Sequence, residues 1–194
     1  MVDRGEVERA LGSARSKPER IEALGALLAQ ETGDEVVIVG GSAIEVYTSG
    51  RTSSRDIDLV TPRRAAIRAI ESWGFVPSGR VWRRQDWDLD IDLLGADLKG
   101  SRENLRKMVT PYGPVSLLGV EDLLIKRLVE LKHWPTSPDW DRDLRKQVRL
   151  LLAQYGTRLN EEYLDFIAQR DDVVDILADF RHPPRAGSLS PPRG

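Results

Sequence analysis

The fold is decided by two neighbouring segments, VVIVGGS at residues 36–42 and RTSSRDIDLV at residues 51–60. The apolar run before the glycines predicts a short buried strand, because such a run bounded by turn residues is typical of a sheet interior. Gly40 and Gly41 allow the backbone to approach a ligand closely. Residues 42–47 then predict a helix with Ser42 at or near its N-cap. A helix N-terminus behind a glycine turn favours bound anions.

The second segment carries two aspartates with the spacing of a strand face. Asp56 and Asp58 are two positions apart, so both carboxylates lie on one face of the predicted strand, with Cα atoms roughly 6–7 Å apart. Ile57 and Leu59 then face the core. Two close carboxylates raise each other's pKa unless a cation lies between them. Mg²⁺ suits this arrangement, because it prefers one or two carboxylates together with water and substrate phosphates.

A third acidic segment, DWDLDIDLL at residues 86–94, alternates carboxylates with apolar side chains. Strict alternation is typical of a half-buried strand. We therefore interpret the segment as one strand from Asp86 to Leu94, with its carboxylates on one face and its apolar side chains on the other. A helix predicted to start at Thr61 and Pro62, between the second and third strands, would cross over the sheet.

These motifs, taken in order, resemble the DNA polymerase β-like nucleotidyltransferase superfamily: a Gly-Gly-Ser turn, Asp-x-Asp on the next strand, and an acidic residue on a third strand. Within it, the small prokaryotic branch with AbiEii-type toxins and the minimal nucleotidyltransferases of toxin–antitoxin systems looks most similar. The expected fold class is α+β, a nucleotidyltransferase-type mixed β-sheet flanked by helices, with N-terminal helices and a helical C-terminal part.

The resemblance implies a function for each motif. Gly40, Gly41 and Ser42 would hold the phosphates of an NTP substrate, and Asp56 and Asp58 would carry metal ions. The activity implied is Mg²⁺-dependent nucleotidyl transfer with two metal ions.

The resemblance also extends to a third carboxylate and a lysine. The third carboxylate is identified as Asp92, which the family places before apolar residues such as Leu93 and Leu94, and Asp90 is the alternative. The segment EDLLIK at residues 121–126 resembles a helix that lends a lysine to the triphosphate, which makes Lys126 a candidate phosphate ligand. An ordinary surface lysine is an equal alternative.

Arginines surround the predicted site, and their planar donors match phosphate groups. A basic rim around an acidic centre suits an NTP or RNA, and Arg55 is the candidate beside the aspartates. For about half of these arginines, a solvated surface charge is the better interpretation. The arginines are Arg51, Arg55, Arg63, Arg64, Arg68, Arg80, Arg83 and Arg84.

The acceptor of the nucleotide stays open at the level of sequence. An RNA 3′ end, as in tRNA, and a protein hydroxyl both fit the resemblance, and a cognate toxin or antitoxin is a possible partner. A second hypothesis is a catalytically inactive nucleotide-binding or partner-binding module with the same fold.

The composition excludes some kinds of site and indicates where the protein is located. The 194 residues carry a formal net charge of −2 and contain no cysteine, which excludes disulfides and cysteine-based zinc sites. We expect a cytoplasmic protein without contact to membranes, because we find no signal peptide and no apolar run long enough to span a bilayer. The expected organisation is N-terminal helices over 1–34, a core over 35–118, a helical part over 119–182 and a flexible tail over 183–194.

Overall fold

The chain divides into a unit that contains a sheet and a unit made of helices. The computed structural model describes residues 2–87, 89–134 and 137–182, and the tail expected at 183–194 lies outside these ranges. The two compact units are Met1–Leu123 and Leu124–Gly194. The finer division expected from the sequence, with boundaries after residues 34 and 118, stays a prediction.

The described residues form seven strands and eight α-helices. The strands are β1 (Val37–Ile38), β2 (Ile57–Val60), β3 (Val76–Ser78), β4 (Val81–Arg84), β5 (Leu89–Gly95), β6 (Arg106–Thr110) and β7 (Gly113–Leu117). The helices are α1 (Arg4–Ser13), α2 (Lys17–Thr32), α3 (Gly40–Tyr47), α4 (Arg63–Ser72), α5 (Val120–His133), α6 (Pro138–Tyr155), α7 (Glu161–Arg170) and α8 (Val174–Arg181).

The strands form one mixed sheet in the order β3-β4-β5-β2-β1-β7-β6. Strand β2 runs parallel to β5, and β1 runs parallel to β7, whereas the other neighbouring pairs are antiparallel. Helix α4 connects β2 to the β3–β4 hairpin, so that β5 can return beside β2 in the same direction. The expected α+β class, a mixed β-sheet flanked by helices, is confirmed.

Helix α2 packs closely against the centre of this sheet. Its apolar face, which includes Ile21 and Leu24, is buried. A Cβ added at Gly25 would lie 2.8 Å from Val115 Cγ2 and 3.3 Å from Ile38 Cδ1, so a glycine is needed for the helix to come this near. Each fully buried aliphatic side chain contributes about 1.5–3 kcal/mol to folding. The N-terminal helices are therefore part of the core that supports β1 and β7.

The C-terminal unit contains most of α5 together with α6, α7 and α8. Ser137 caps α6 by accepting a hydrogen bond from the Trp140 amide at 3.4 Å, and Asn160 caps α7 by accepting from the Tyr163 amide at 3.1 Å. These caps satisfy amides that have no acceptor within the helix. The buried apolar side chains include Leu128, Leu144, Val148, Leu151, Leu164, Ile167 and Leu177.

The strand predicted from Asp86 is wrong at its start, because β5 begins at Leu89. Residues Gln85–Trp87 form a 3-10 turn instead. Arg84 donates to Asp86 at 2.9 Å and lies 3.6 Å from the centre of the Trp87 ring, and both contacts draw the chain out of the extended conformation. Asp88 lies outside the described residues.

Candidate active site

The start of α3 is built against Asp58. The Val39 amide donates to the Asp58 carbonyl oxygen at 3.0 Å, and the Asp58 amide donates to Ser42 Oγ at 3.1 Å. Ser42 Oγ in turn donates to the Val39 carbonyl oxygen at 2.8 Å. The predicted N-cap role of Ser42 is wrong, because Val39 is the N-cap and the serine lies in the first turn, where its hydroxyl faces β2. The fully buried serine hydroxyl thus fixes the aspartate relative to the glycine turn.

Gly40 lies directly against the Asp58 carboxylate. Its φ is +61°, in the left-handed region that favours glycine. A Cβ at this position would be 2.3 Å from Asp58 Oδ2, a separation that no side chain tolerates. The glycine therefore serves both the turn and the space around the carboxylate, and its predicted close approach to a ligand stays a prediction.

Asp56 precedes β2 and is held through the loop before it. Ser54 Oγ donates to the Asp56 carbonyl oxygen at 2.7 Å, and the Ser54 amide donates to Glu45 Oε2 at 2.7 Å. Lys17 Nζ lies 3.5 Å from the same Glu45 oxygen and also donates to the Ser54 carbonyl oxygen. Sequence reasoning missed Glu45 and Lys17, since each looks like an ordinary charged residue on a helix, and only the fold brings them to this loop.

Asp92 enters the site through strand register. Because β2 and β5 are parallel neighbours, Asp92 lies directly opposite Asp58, and it is buried. Oxygen atoms of Asp56, Asp58 and Asp92 all lie within 4.8 Å of one another. The structure thus brings together the three aspartates that the sequence singled out.

Asp90, the alternative to Asp92, has a different partner. It lies opposite Arg83 on β4, and the two side chains form a pair of hydrogen bonds of 2.7 and 2.5 Å. The hydrogen bond from Arg83, together with its charge, holds the pKa of Asp90 below its ordinary value, against a smaller opposing effect of burial. The charge of the Asp90 carboxylate is therefore neutralised by Arg83 on the neighbouring strand, and Asp92 is the residue of β5 that lies with Asp56 and Asp58.

A guanidinium group lies against the cluster. Arg80 Nη2 is 3.0 Å from Asp56 Oδ2, and Arg80 Nε is 3.3 Å from Asp92 Oδ2. The hydrogen bond to Asp56, followed by the attraction of Asp92, raises the pKa of Arg80 above its ordinary value. The sequence predicted a dication such as Mg²⁺ between Asp56 and Asp58, which stays a prediction, whereas the Arg80 guanidinium contacts Asp56 and Asp92.

The chemistry of the cluster fits a hard divalent ion. Mg²⁺ binds oxygens at about 2.0–2.1 Å in octahedral geometry, so two oxygens on one ion are about 3 Å apart when adjacent and about 4 Å apart when opposite. Three carboxylate oxygens within 4.8 Å of one another can reach these separations by rotations of their side chains. Asp56, Asp58 and Asp92 are therefore the residues that could hold Mg²⁺.

The other predicted phosphate ligands lie in three places. Gly41 and Ser42 belong to the first turn of α3, whose leading amides have no acceptor within the helix. Arg55 is exposed in the segment before β2. Lys126 is exposed on α5, in the C-terminal unit. The phosphate-binding role of each of these residues stays a prediction.

The predicted arginine rim contains structural members. Arg84 is buried, donates to the Trp73 carbonyl oxygen at 2.6 Å and pairs with Glu8 at 2.8 Å. Arg63 donates to the Leu93 carbonyl oxygen. Arg63 and Arg84 therefore support the β4–β5 region, and the interpretation as a solvated surface charge is wrong for Arg84, which is buried.

Comparison with solved structures identifies the class of fold. An antigenic nucleotidyltransferase-like protein from Paracoccidioides brasiliensis aligns with a TM-score of 0.57 at 11% identity, over 87% of this chain and 94% of that one. The antibiotic-resistance factor ANT(2'')-Ia aligns with a TM-score of 0.53 at 18% identity, over 86% of this chain and 100% of that one. The chain thus has a nucleotidyltransferase-like fold.

The sequence itself matches no family model and none of the curated proteins. Among the described residues, the helices are all too short or too polar to cross a membrane.

Proposed function

We propose that the protein is a metal-dependent nucleotidyltransferase that moves an NMP from an NTP to a hydroxyl acceptor. The observation that carries this proposal is the cluster of Asp56, Asp58 and Asp92 beside the glycine turn at the start of α3. Three carboxylates on two adjacent strands and the segment before one of them, next to backbone amides that can meet an anion, suit a nucleotide with its divalent cation.

Each group at the site has a part in the proposed reaction. Asp56, Asp58 and Asp92 would hold Mg²⁺, which would supply charge stabilisation for the triphosphate and for the leaving pyrophosphate and would polarise the attacking hydroxyl. The amides around Gly41 and Ser42 orient the triphosphate. Most of the rate enhancement then comes from positioning and preorganised charge, because the chain contributes no covalent step.

The remaining assignments complete the proposal. Asp92 is our candidate for the base that takes the hydroxyl proton, and Arg55 and Lys126 are our candidates for additional phosphate contacts. Gly40 leaves room for Asp58 to turn toward the ligand.

We place the protein, on the motif resemblance, in the small prokaryotic branch with AbiEii-type toxins and minimal nucleotidyltransferases. The acceptor is then an RNA 3′ end, such as that of tRNA, or a protein hydroxyl. A cognate toxin or antitoxin is the matching partner in a toxin–antitoxin system.

One observation favours the second candidate function, a binding module without turnover. Arg80 contacts two of the three carboxylates, so the folded chain has an internal counterion for the cluster. A protein that had given up catalysis could keep the fold in this form.

Nucleotide transfer can be tested directly by labelling. The purified protein is incubated with each α-³²P-labelled NTP, with Mg²⁺ or Mn²⁺, and with total tRNA or cell lysate, and the products are separated on denaturing gels. We expect label on one class of acceptor, RNA or protein, and loss of that label in Asp58→Asn.

The variant retains the size and shape of the aspartate, so its fold is expected to be intact by circular dichroism. Label that persists undiminished in Asp58→Asn would contradict the metal assignment. Thermal stabilisation by an NTP without any labelled product would favour the binding module, because a ligand that binds only the folded state raises Tm.

A further inference from the structure

Arg80 lies at the tip of the β3–β4 hairpin. Ser78 and Val81 are the last pair of this ladder, so Gly79 and Arg80 form a two-residue turn. Gly79 has a φ of +65°, and a glycine with positive φ at the first central position is the pattern of a type II′ turn, which suits the twist of the strands. The backbone of Arg80 is therefore fixed by the hairpin, while the long side chain can change its rotamer.

The contacts of Arg80 with the cluster are those of an exchangeable partner. It makes single contacts of 3.0 and 3.3 Å to two different carboxylates, whereas Arg83 makes a two-pronged contact to Asp90. The Arg80 side chain is 75% exposed, while those of Asp56 and Asp92 are 17% and 7% exposed. Ion pairs with an exposed partner are weak, because water and salt compete with them.

A divalent cation is a stronger counterion for the same oxygens. It carries twice the charge of a guanidinium and approaches a carboxylate oxygen to about 2.1 Å. Electrostatic attraction grows with the product of the charges and with the inverse of their separation. The Oδ2 atoms of Asp56 and Asp92 that contact Arg80 belong to the carboxylates assigned to Mg²⁺. Metal and guanidinium therefore compete for them.

We propose, building on the proposed function, that Arg80 is a nucleotide-binding residue that exchanges partners: it holds Asp56 and Asp92 in the free protein and binds triphosphate oxygens in the Mg²⁺–NTP complex. Its planar fork of donors matches phosphate geometry. The fixed hairpin tip keeps the side chain within reach of the cluster after it leaves the carboxylates. The same residue thus opposes metal binding alone and supports metal binding with nucleotide.

The test measures two affinities of the full chain and its Arg80→Met variant. Binding of Mn²⁺ alone is followed by electron paramagnetic resonance, and binding of tripolyphosphate with Mg²⁺ by calorimetry. Removal of Arg80 should tighten Mn²⁺ binding roughly 3- to 10-fold, the range expected from one or two exposed ion pairs. It should weaken tripolyphosphate binding roughly 10-fold, because a charge-assisted hydrogen bond to phosphate is lost.

Two further variants separate this exchange from a general effect of charge. Arg83→Met removes the same charge from the same hairpin but faces Asp90, so both affinities should stay within about twofold of the wild type. Arg80→Lys keeps the charge and loses the fork. We expect wild-type Mn²⁺ affinity and intermediate tripolyphosphate affinity for this variant.

The outcomes separate this inference from the proposed function. Mn²⁺ binding that depends on Asp58 but is no tighter in Arg80→Met would overturn the exchange and leave the metal site standing. If neither the wild type nor Arg80→Met bound Mn²⁺, both the partner exchange and the proposed metal site would be overturned. Opposite changes in the two affinities, confined to Arg80, would establish the exchange.

Discussion

Asp90 and Asp92 are two positions apart on strand β5, yet they lie in different electrostatic regions. Asp92 lies opposite Asp58 on β2 and is buried among carboxylates. Asp90 lies opposite Arg83 on β4 and forms a two-pronged ion pair. The difference arises because β5 has a parallel acidic neighbour on one side and an antiparallel basic neighbour on the other.

This contrast shows how one alternating strand can supply both a site and its support. The ion pair of Asp90 with Arg83 connects β4 to β5, and its two charges cancel. The three carboxylates of the Asp92 region keep an excess of negative charge, because the single charge of Arg80 balances only one of them. Unbalanced charge in a partly buried place favours a ligand of opposite sign. The Asp92 region is therefore the one suited to bind a cation.

The largest expected effect comes from making the same substitution, aspartate to asparagine, at Asp92 and at Asp90. Asp92→Asn should lower the proposed nucleotidyl transfer by at least roughly 100-fold, because even outer partners of metal ligands are worth roughly 10- to 100-fold. Asp90→Asn should lower it less than about threefold, since its partner is Arg83 and a surface ion pair contributes little. Initial rates of label transfer measure both. Equal losses of transfer rate in the two variants would contradict the assignment of different roles to Asp90 and Asp92.

A second experiment changes Gly40, whose backbone lies against the Asp58 carboxylate. Gly40→Ala should destabilise the fold by about 1–3 kcal/mol and weaken Mn²⁺ binding, because Ala is strained at positive φ and its Cβ meets Asp58 Oδ2 at 2.3 Å. Urea unfolding and Mn²⁺ titration measure the two effects.

Gly33→Ala is the matched control for this substitution. Gly33 has a φ of +71° but no atom within 4 Å of an added Cβ, so its replacement reports strain alone. We expect a loss of about 1 kcal/mol and unchanged Mn²⁺ affinity. If Gly40→Ala behaved in the same way, the close approach of Gly40 to Asp58 would have no consequence for the cluster.

The smallest expected effect is the pH dependence of the Asp90 pair. Arg83 lowers the pKa of Asp90 in the folded state from an unfolded value near 3.8, so the pair adds stability above that pH. The contribution should be below about 1 kcal/mol at pH 7 and should vanish as the pH falls through the folded pKa. Urea unfolding of wild type and Asp90→Asn between pH 7 and pH 3 measures the difference.

Arg83→Met provides the check on the cause of this pH dependence. If the ion pair is responsible, the double variant should lose no more stability than either single variant. A difference between wild type and Asp90→Asn that grew as the pH fell would contradict the assignment.

The sequence predicted the part of the site that depends on neighbours along the chain. The apolar run before Gly40 and the Asp56–Asp58 spacing predicted β1 and β2, although Asp56 lies just before β2, because both patterns follow from local periodicity and turn chemistry. The predicted N-cap role of Ser42 is wrong because the serine hydroxyl accepts a hydrogen bond from the Asp58 amide, which belongs to another element. The strand predicted from Asp86 is wrong at its start because Arg84, which is held by Glu8 and the Trp73 carbonyl oxygen, bonds Asp86 and lies over the Trp87 ring.

By itself, then, the sequence determined the strand, glycine turn, helix and strand, and the face on which the carboxylates lie. Only the tertiary structure brought Asp92, rather than Asp90, beside Asp56 and Asp58 and placed Arg80 against the cluster. The physical reason is that a period of two specifies the face of a strand but not its neighbours. Neighbours are set by pairing between strands that are distant in sequence, and at this site they decide which charges meet.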